Sequence, residues 1–259
     1  NWWRGIVDKY NESAHFVYEL LQNADDVGAT YVEIILSKKG MYFKHNGTIP
    51  FSISTEEEEN NYGHINAITG VANSTKNDDS QKIGKFGLGF KAVFAYSKEP
   101  YIYDDKFWFK IVDYVVPEEL STDSPIREKG ETLFYFPFFN EKEAFKDIEK
   151  RLLNLNNPIL FLHNLRNVYW KYEDSPNSIY VYTKETHNLG EKDGIIFDKI
   201  YLKNGEQKST LILFTKQINI PDNGKHNINI GYFLDEKGKI NTDIRPKVFC
   251  FFPTSEKTD

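Results

Sequence analysis

Hydrophobic positions recur at three- and four-residue steps over residues 12–26, in the stretch ESAHFVYELLQNADD. This spacing predicts an amphipathic helix with one apolar face toward a core. Gly28 follows it, and glycine is the residue that most often ends a helix. Glu19, Asn23 and Asp26 recur at the same steps on a neighbouring stripe, so the pattern predicts a polar face beside the buried one.

Hydrophobic and polar residues alternate in the sequence after this predicted helix. TYVEIIL and GMYFKHNG predict a β-hairpin with its turn at residues 37–40. Residues 52–82 break the alternation with an acidic start and a run of Ser, Thr, Asn and Asp. That composition predicts a mobile surface segment. A short helix is then predicted over about residues 90–96.

Aromatic and β-branched runs dominate the remainder of the chain. PYIYDD, FWFKIVDYVV and ETLFYFPFF predict strands. An amphipathic pattern predicts a helix that begins after Asn140 as its cap. From about residue 168 the pattern becomes strand and turn. The fold class predicted is therefore α/β, with one domain over residues 1–170 and a β-rich segment over 171–259 that begins a following, transducer-like domain.

Composition narrows the classes of function. With 40% hydrophobic and 27% charged residues the chain can bury a core. Its net charge of −6 does not indicate a nucleic-acid surface. The single Cys250 excludes a disulfide framework within the chain and fits a reducing compartment. No apolar run approaches the roughly 20 residues of a membrane span, so we expect a soluble, cytoplasmic protein with no membrane partner.

The chain begins at Asn1 without an initiator methionine and ends soon after an apolar, strand-like run. We therefore expect it to be part of a longer protein, whose further domains would be its partners.

Three glycines lie within residues 84–89, in GKFGLGFK, and a predicted helix follows directly. Free amide groups at the start of a helix form a positive site that suits phosphate. A glycine-rich turn packed against a sheet is an equally good interpretation of this spacing alone.

The polar face of the first helix adds a second indication. An Asn side-chain oxygen at position 23 suits Mg²⁺, which usually keeps waters and substrate phosphates as its other ligands. Glu19, one turn earlier, could take a proton from an attacking water. Taken singly, Glu19 reads better as a solvated charge and Asn23 as a polar residue near a helix end. The order of helix, HNG turn and glycine run favours the functional interpretation.

These motifs resemble those of the GHKL superfamily, which includes gyrase, heat-shock chaperone, histidine-kinase and mismatch-repair ATPases. ELLQNADD resembles its N-box, IGKFGLGFKAVF its second glycine box and KGETLFYF its later Gly-x-Thr strand. The sacsin and no-vein group of large ATPases is the most similar, since QNADDVGAT, HNG, STK and FFPTSEKT look like its motifs. The matches span residues 15–135 and recur near residue 250.

The resemblance implies a Bergerat fold, a two-layer α/β sandwich in which helices cover one face of a mixed, mostly antiparallel sheet. It implies bound ATP and Mg²⁺ under a mobile lid. Carried over by position, Glu19 is the general base, Asn23 the Mg²⁺ ligand and Asp26 a pocket acid near the nucleoside. The other nucleotide-binding positions that it implies are the first glycine box (His45, Asn46, Gly47), two lid residues (Ser74, Lys76), the phosphate-cradling box (Gly84, Lys85, Phe86, Gly87, Leu88, Gly89, Phe90) and Thr132 behind the adenine.

The first glycine box departs from the superfamily pattern Asp-x-Gly-x-Gly, in which the Asp accepts a hydrogen bond from the adenine amino group. His45 stands in place of that Asp, and Ile49 in place of the second glycine. Asp26, Asn46 or an ordered water could accept instead. A neutral His45 could do so only in the right tautomer.

We expect an ATPase module that binds ATP with Mg²⁺, hydrolyses it slowly to ADP and phosphate, and couples nucleotide state to lid closure in a larger protein. Chaperone-like remodelling, nucleic-acid processing and phage defence are the alternatives for the role of that protein. A basic residue from a following domain or from a dimer partner often touches the γ-phosphate in the superfamily, so this chain is expected to be slow and mainly monomeric, and the longer protein to form an ATP-dependent homodimer. One alternative is a nucleotide sensor or scaffold without hydrolysis. Another is a histidine-kinase catalytic domain, against which Glu19 argues because those kinases typically carry Asn there.

Overall fold

The structure is a computed structural model that describes residues 16–53, 64–69, 90–220, 224–244, 249–250 and 252–253. Over these residues the protein is α/β and is dominated by a large mixed sheet of eleven strands, with few helices. The chain divides into two compact units, Asn1–Leu155 with His163–Ile179, and residues 156–162 with 180–259. Each unit is described by itself. The division into domains at residue 170 stays a prediction.

The first unit contains three described α-helices, a 3₁₀ helix and most of the mixed sheet. Its strand order is β7-β1-β2-β6-β3-β4-β5. The helices are α1 (Phe16–Asp26), α2 (His64–Thr69) and α3 (Glu141–Leu153), with the 3₁₀ helix at Lys91–Ala95; the strands are β1 (Tyr31–Leu36), β2 (Gly40–His45), β3 (Tyr101–Tyr103), β4 (Trp108–Val112), β5 (Val116–Glu119), β6 (Thr132–Pro137) and β7 (Asn167–Tyr172).

The N-terminal elements agree with the pattern where they are described. Helix α1 lies within the predicted span, and residues 12–15 fall outside the described part of the chain. Gly28 has φ +77° and donates its backbone N–H to Asp25 O, while Ala29 N–H reaches Ala24 O. These two bonds form a Schellman motif, in which glycine accepts the left-handed conformation without strain.

The predicted hairpin is also confirmed. Strands β1 and β2 pair antiparallel, with Val32 opposite His45. On its other edge β1 pairs in parallel with β7, with Tyr31 opposite Asn167. Because β1 therefore has neighbours on both sides, it lies inside the sheet of the first unit, and its alternate side chains, which include Ile34, are buried.

One predicted strand is shorter than expected. FWFKIVDYVV contains β4, a tight turn and the first residue of β5, and β4 pairs antiparallel with β5 across that turn. Asp113 and Tyr114 have φ of 51° and 69°, as a type I′ hairpin turn requires at both central positions. The pattern missed this turn because neither residue is glycine, and apolar residues continue on both sides of it.

The predicted cap of α3 is correct in position and wrong in chemistry. Asn140 occupies the N-cap, but its side chain makes no capping hydrogen bond to the helix backbone. Its Nδ2 instead donates to the carboxylate of Glu143. Charge-assisted side-chain pairing thus replaces the usual bond to a free backbone N–H.

The core of the first unit forms where α1 meets the sheet. Phe16 and Leu21 of the helix are almost fully buried, as are Phe136 of β6 and Trp170 of β7. The rings of Phe16 and Phe136 lie 6.0 Å apart between centroids, edge to face. Burial of each such side chain contributes about 1.5–3 kcal/mol, so this contact holds α1 firmly on the sheet.

The second unit is built from long antiparallel strands in the order β11-β10-β9-β8. The strands are most of β8 (Ser175–Lys192), β9 (Ile195–Asn204), β10 (Gln207–Ile220) and β11 (Gly224–Phe233), with the short pair β12 (Phe249–Cys250) and β13 (Phe252–Pro253). Its core is a cluster formed by Leu160, Ile200, Leu202, Leu211 and Leu213. No helix in the described part of the chain is long and apolar enough to cross a membrane.

Asp25 ties the end of α1 to the segment before β7. Its carboxylate is 3% exposed. Oδ2 accepts the backbone N–H of His163 at 2.9 Å, and Oδ1 accepts those of Asn164 and Leu165 at 2.6 and 2.8 Å. A buried charge is tolerated here because three donors replace water.

We predict that Asp25→Asn lowers the free energy of unfolding by about 1.5–3 kcal/mol, the range for hydrogen bonds to a charged group. The amide nitrogen would face the His163 N–H, donor against donor. Urea unfolding measures the change. Asp113→Asn is the control, since Asp113 is exposed and has a positive φ that Asn tolerates. Equal stability of the two variants would contradict the role of Asp25.

Candidate functional site

A small pocket, with a cavity volume of about 20 Å³, lies in the first unit. Helices α1 and α2, the end of β2 with the loop after it, and β6 all contribute to its wall. Most of its lining is apolar. The lining residues are Leu20, Asn23, Ala24, Val27, Phe43, His45, Ile49, Phe51, His64, Ile68, Phe90, Thr132 and Phe134.

The HNG turn lies against the end of α1 and contributes His45 to the pocket wall. Thr48 N–H donates to Val27 O at 2.9 Å. A Cβ added to Gly47 would lie 2.4 Å from Val27 Cγ2 and 3.0 Å from the His45 ring. A larger side chain would force these groups apart, so Gly47, which the resemblance implies as a nucleotide-binding position, here makes room for the end of the helix.

Asn46 holds the same turn to the start of β1. Its Oδ1 accepts the backbone N–H groups of Thr30 and Tyr31 at 2.9 and 3.1 Å. Its Nδ2 donates to Thr30 Oγ1 at 2.8 Å. Because both ends of the amide are engaged in the fold, Asn46 is not available as the acceptor for a base, and it is not among the residues that line the pocket.

His45 is the most buried polar ring of the pocket, at 5% exposure. It lies beside Phe43 and Phe134, with ring centroids 6.2 and 6.0 Å away. Gly47 N–H donates to its Nδ1 at 3.0 Å. Burial lowers the pKa of His45 to about 4, because charging the ring in this surrounding is costly. The ring is therefore neutral at pH 7.

Of the three polar residues predicted on α1, one lines the pocket. Asn23 does so at 9% exposure. Glu19 is partly buried one turn earlier, and Asp26 is exposed; neither is a lining residue. Asp25, the buried acid beside Asp26, is engaged in the fold. In the part of the chain that the structure describes, no group of three or more His, Cys, Asp or Glu residues could hold a metal.

Thr132 and Phe90 complete the set of predicted residues in the pocket. Thr132 is buried and lies opposite His45 in the pairing of β2 with β6. Phe90 is buried against Phe134, with ring centroids 5.8 Å apart. The other predicted phosphate and lid residues, Ser74, Lys76, Gly84, Lys85, Phe86, Gly87, Leu88 and Gly89, lie outside the described residues.

The pattern did not identify Phe51, His64 and Ile68 as part of the pocket. His64 and Ile68 lie on α2, within the segment predicted to be a mobile surface. Burial lowers the pKa of His64, and Ser52 Oγ lies 3.0 Å from its Nδ1. The polar residues around this short helix obscured its apolar positions, and the three-residue spacing of Ile65 and Ile68 is the signal that could have marked them.

Residues 2–118 match the family model of the Sacsin domain, SACS. The chain is 29% identical over 282 residues to Protein NO VEIN of Arabidopsis thaliana, covering 94% of this chain and 10% of that protein. It is 30% identical over 111 residues to Sacsin of Homo sapiens, covering 39% of this chain and 2% of that protein. The sequence is therefore sacsin-like, and the chain spans only a small part of the length of either relative.

A solved structure, the crystal structure of the N-terminal domain of a DNA repair protein, has a TM-score of 0.45 and 13% identity to this chain. The match covers 86% of this chain and 74% of that one.

We predict that His45 makes the first unit less stable in acid. The unfolded imidazole binds a proton below pH about 6.5, whereas the folded ring, with its lowered pKa, does not until about pH 4. Stability is therefore complete above pH 6.5 and falls as the pH decreases, by about 2–3 kcal/mol from this group between pH 7 and 4.5.

Urea unfolding of the parent protein and of His45→Asn at the two pH values tests this. Asn cannot titrate, and its Oδ1 lies near the Nδ1 position, where it can still accept the Gly47 N–H. The variant should lose less stability on acidification than the parent. Equal losses would show that His45 is not the source.

Proposed function

We propose that the first unit is an ATP-binding module of the GHKL type that hydrolyses ATP slowly with Mg²⁺. The arrangement would be the two-layer Bergerat sandwich, with helices on one face of the sheet. One observation carries the proposal. Asn23, His45, Phe90 and Thr132, predicted from four separated motifs, line a single pocket.

The chemistry of this pocket suits a nucleoside. Phe43, Phe51, Phe90 and Phe134 give it aromatic walls, against which a flat base can stack with its faces out of water. A few convergent polar groups, the His45 ring and the Thr132 hydroxyl among them, would orient the base. The glycine run directly before Phe90 in sequence would then meet the phosphates.

The donor set also fits a magnesium ion. Mg²⁺ takes few ligands from a protein and keeps waters and phosphate oxygens for the rest, so the single amide oxygen of Asn23 is sufficient. The ion would neutralise charge on the phosphate oxygens. The Asn23 side chain, which lines the pocket, would hold it there. Asp25 cannot serve, because both its carboxylate oxygens accept backbone bonds.

Glu19 is the proposed general base. It lies one helical turn before Asn23 on α1, so the same face of the helix would carry the ion and the group that accepts a proton from the attacking water. Proton removal by a carboxylate, together with positioned donors around the phosphate, is the division of labour expected for phosphoryl transfer to water.

The sacsin-like sequence supports this assignment at the level of the family. The chain spans about a tenth of NO VEIN and less of Sacsin. We therefore include in the proposal that it is coupled to further domains and dimerises with ATP in a longer protein. The proposal also includes a cytoplasmic, chaperone-like role. In such a protein, closure over the nucleotide would transmit its state to the following domains.

We predict that isothermal titration detects Mg²⁺-dependent ATP binding, and that Asn23→Ala weakens it by at least tenfold, because the ion would lose its protein ligand. Gln22→Ala is the matched control: it is the neighbouring residue on α1, is partly buried and does not line the pocket. Undiminished affinity of Asn23→Ala in the presence of Mg²⁺ would contradict the site.

We further predict that Glu19→Gln keeps the affinity for ATP and lowers turnover by roughly 10²–10⁴-fold, the usual loss for a general base. Phosphate release at saturating ATP measures turnover, and titration of the same variant controls for binding. Parental turnover in Glu19→Gln would place the base elsewhere. Binding without turnover in the parent protein would favour the sensor or scaffold alternative.

A further inference from the structure

His45 offers one polar atom to a molecule in the pocket, and that atom is a donor. Its Nδ1 accepts the backbone N–H of Gly47 at 3.0 Å, so Nδ1 carries no proton. A neutral imidazole has one N–H and one bare nitrogen. The proton of the neutral ring is therefore on Nε2.

The orientation of this ring is held by the fold. The Nδ1 and Cε1 atoms are the ones that face Gly47, since an added Cβ there would lie 3.0 Å from each. Phe43 and Phe134 pack against the ring. Across the residues that the structure describes, Nε2 has no hydrogen-bond acceptor in the protein, so its N–H is available to an occupant of the pocket that His45 lines.

No carboxylate among the described residues compensates for this donor inside the pocket. The lining contains no Asp or Glu. Asp26 is exposed, and Asp25 is engaged by backbone amides. The amide oxygen of Asn46 is taken by Thr30 and Tyr31. Among the residues that the structure describes, the pocket therefore has no charged acceptor for an amino group.

We propose, building on the ATP site proposed above, that His45 donates its Nε2–H to an acceptor atom of a purine base, and that the site does not require the 6-amino group of adenine. Purine rings carry bare ring nitrogens that accept hydrogen bonds whether or not position 6 bears an amino group. The specificity of this site therefore rests on the ring nitrogens and on stacking.

The first test uses the unmodified protein. Titration with Mg·ATP is compared with titration with the Mg²⁺ complex of purine riboside triphosphate, which lacks only the 6-amino group. We expect the two dissociation constants to agree within about threefold. A site that bound the amino group with a charged acceptor would lose about 10–150-fold, and a loss of that size would overturn the proposal.

Two variants then separate the donor function of Nε2 from the acceptor function of Nδ1. Asn at position 45 keeps an acceptor near the Nδ1 position and loses the Nε2–H, whereas Gln keeps an N–H near the Nε2 position and loses the acceptor. We expect His45→Asn to weaken both nucleotides equally, by roughly 3- to 10-fold for one neutral hydrogen bond. His45→Gln should retain the parental affinities and lose thermal stability instead.

An unchanged affinity for both nucleotides in His45→Asn, or a loss confined to ATP, would overturn the proposal. ¹⁵N spectra of the histidine rings give an independent readout that does not depend on either variant folding: the His45 signal should be that of a ring protonated at Nε2, and protonation at Nδ1 would overturn it. Failure of the ATP site itself gives a different result, since neither triphosphate would then bind while the ring signal still reports the Nε2–H form.

Discussion

The close approach of the HNG turn to the last turn of α1 is the constraint on which the pocket depends. With the backbone of Gly47 pressed against Val27 and Thr48 bonded to the helix end, the end of β2 cannot move away from α1. The contact therefore holds Asn23 and His45 in the wall of the same pocket. A side chain at position 47 would separate the two elements, and the pocket would lose the wall from which its polar groups project.

The sequence predicted those elements that have strong periodicity and local stop signals. Helix α1 ends as expected because Gly28 takes a positive φ that other residues avoid, and the hairpin of β1 and β2 follows from simple alternation. The turn at Asp113 and Tyr114 was not predictable in this way. Its strands are stabilised by their sheet partners, which override the unfavourable conformation of two residues without any local mark in the sequence.

The lining of the pocket was predictable only in part, and the contacts of each residue were not. Motif order indicated Asn23, His45 and Thr132, and all three line the pocket. The role of Asn46 in bonding Thr30 and the use of the His45 Nδ1 by Gly47 depend on a turn folding back on itself. Such contacts depend on the three-dimensional path of the backbone, so they cannot be predicted from the spacing of residues in the sequence.

The parallel pairing of β1 with β7 has a consequence for how the protein is made. Tyr31 pairs with Asn167 in this ladder, and the Asp25 carboxylate accepts hydrogen bonds from backbone N–H groups at positions 163–165. During synthesis on a ribosome, the hairpin can form early, but the sheet that carries the pocket stays incomplete until the chain has grown past β7. Closing so long a loop is slow. In the interval the Asp25 carboxylate lacks these backbone donors and must be hydrated instead. The N-terminal elements therefore cannot complete their core until residues 163–172 have been synthesised.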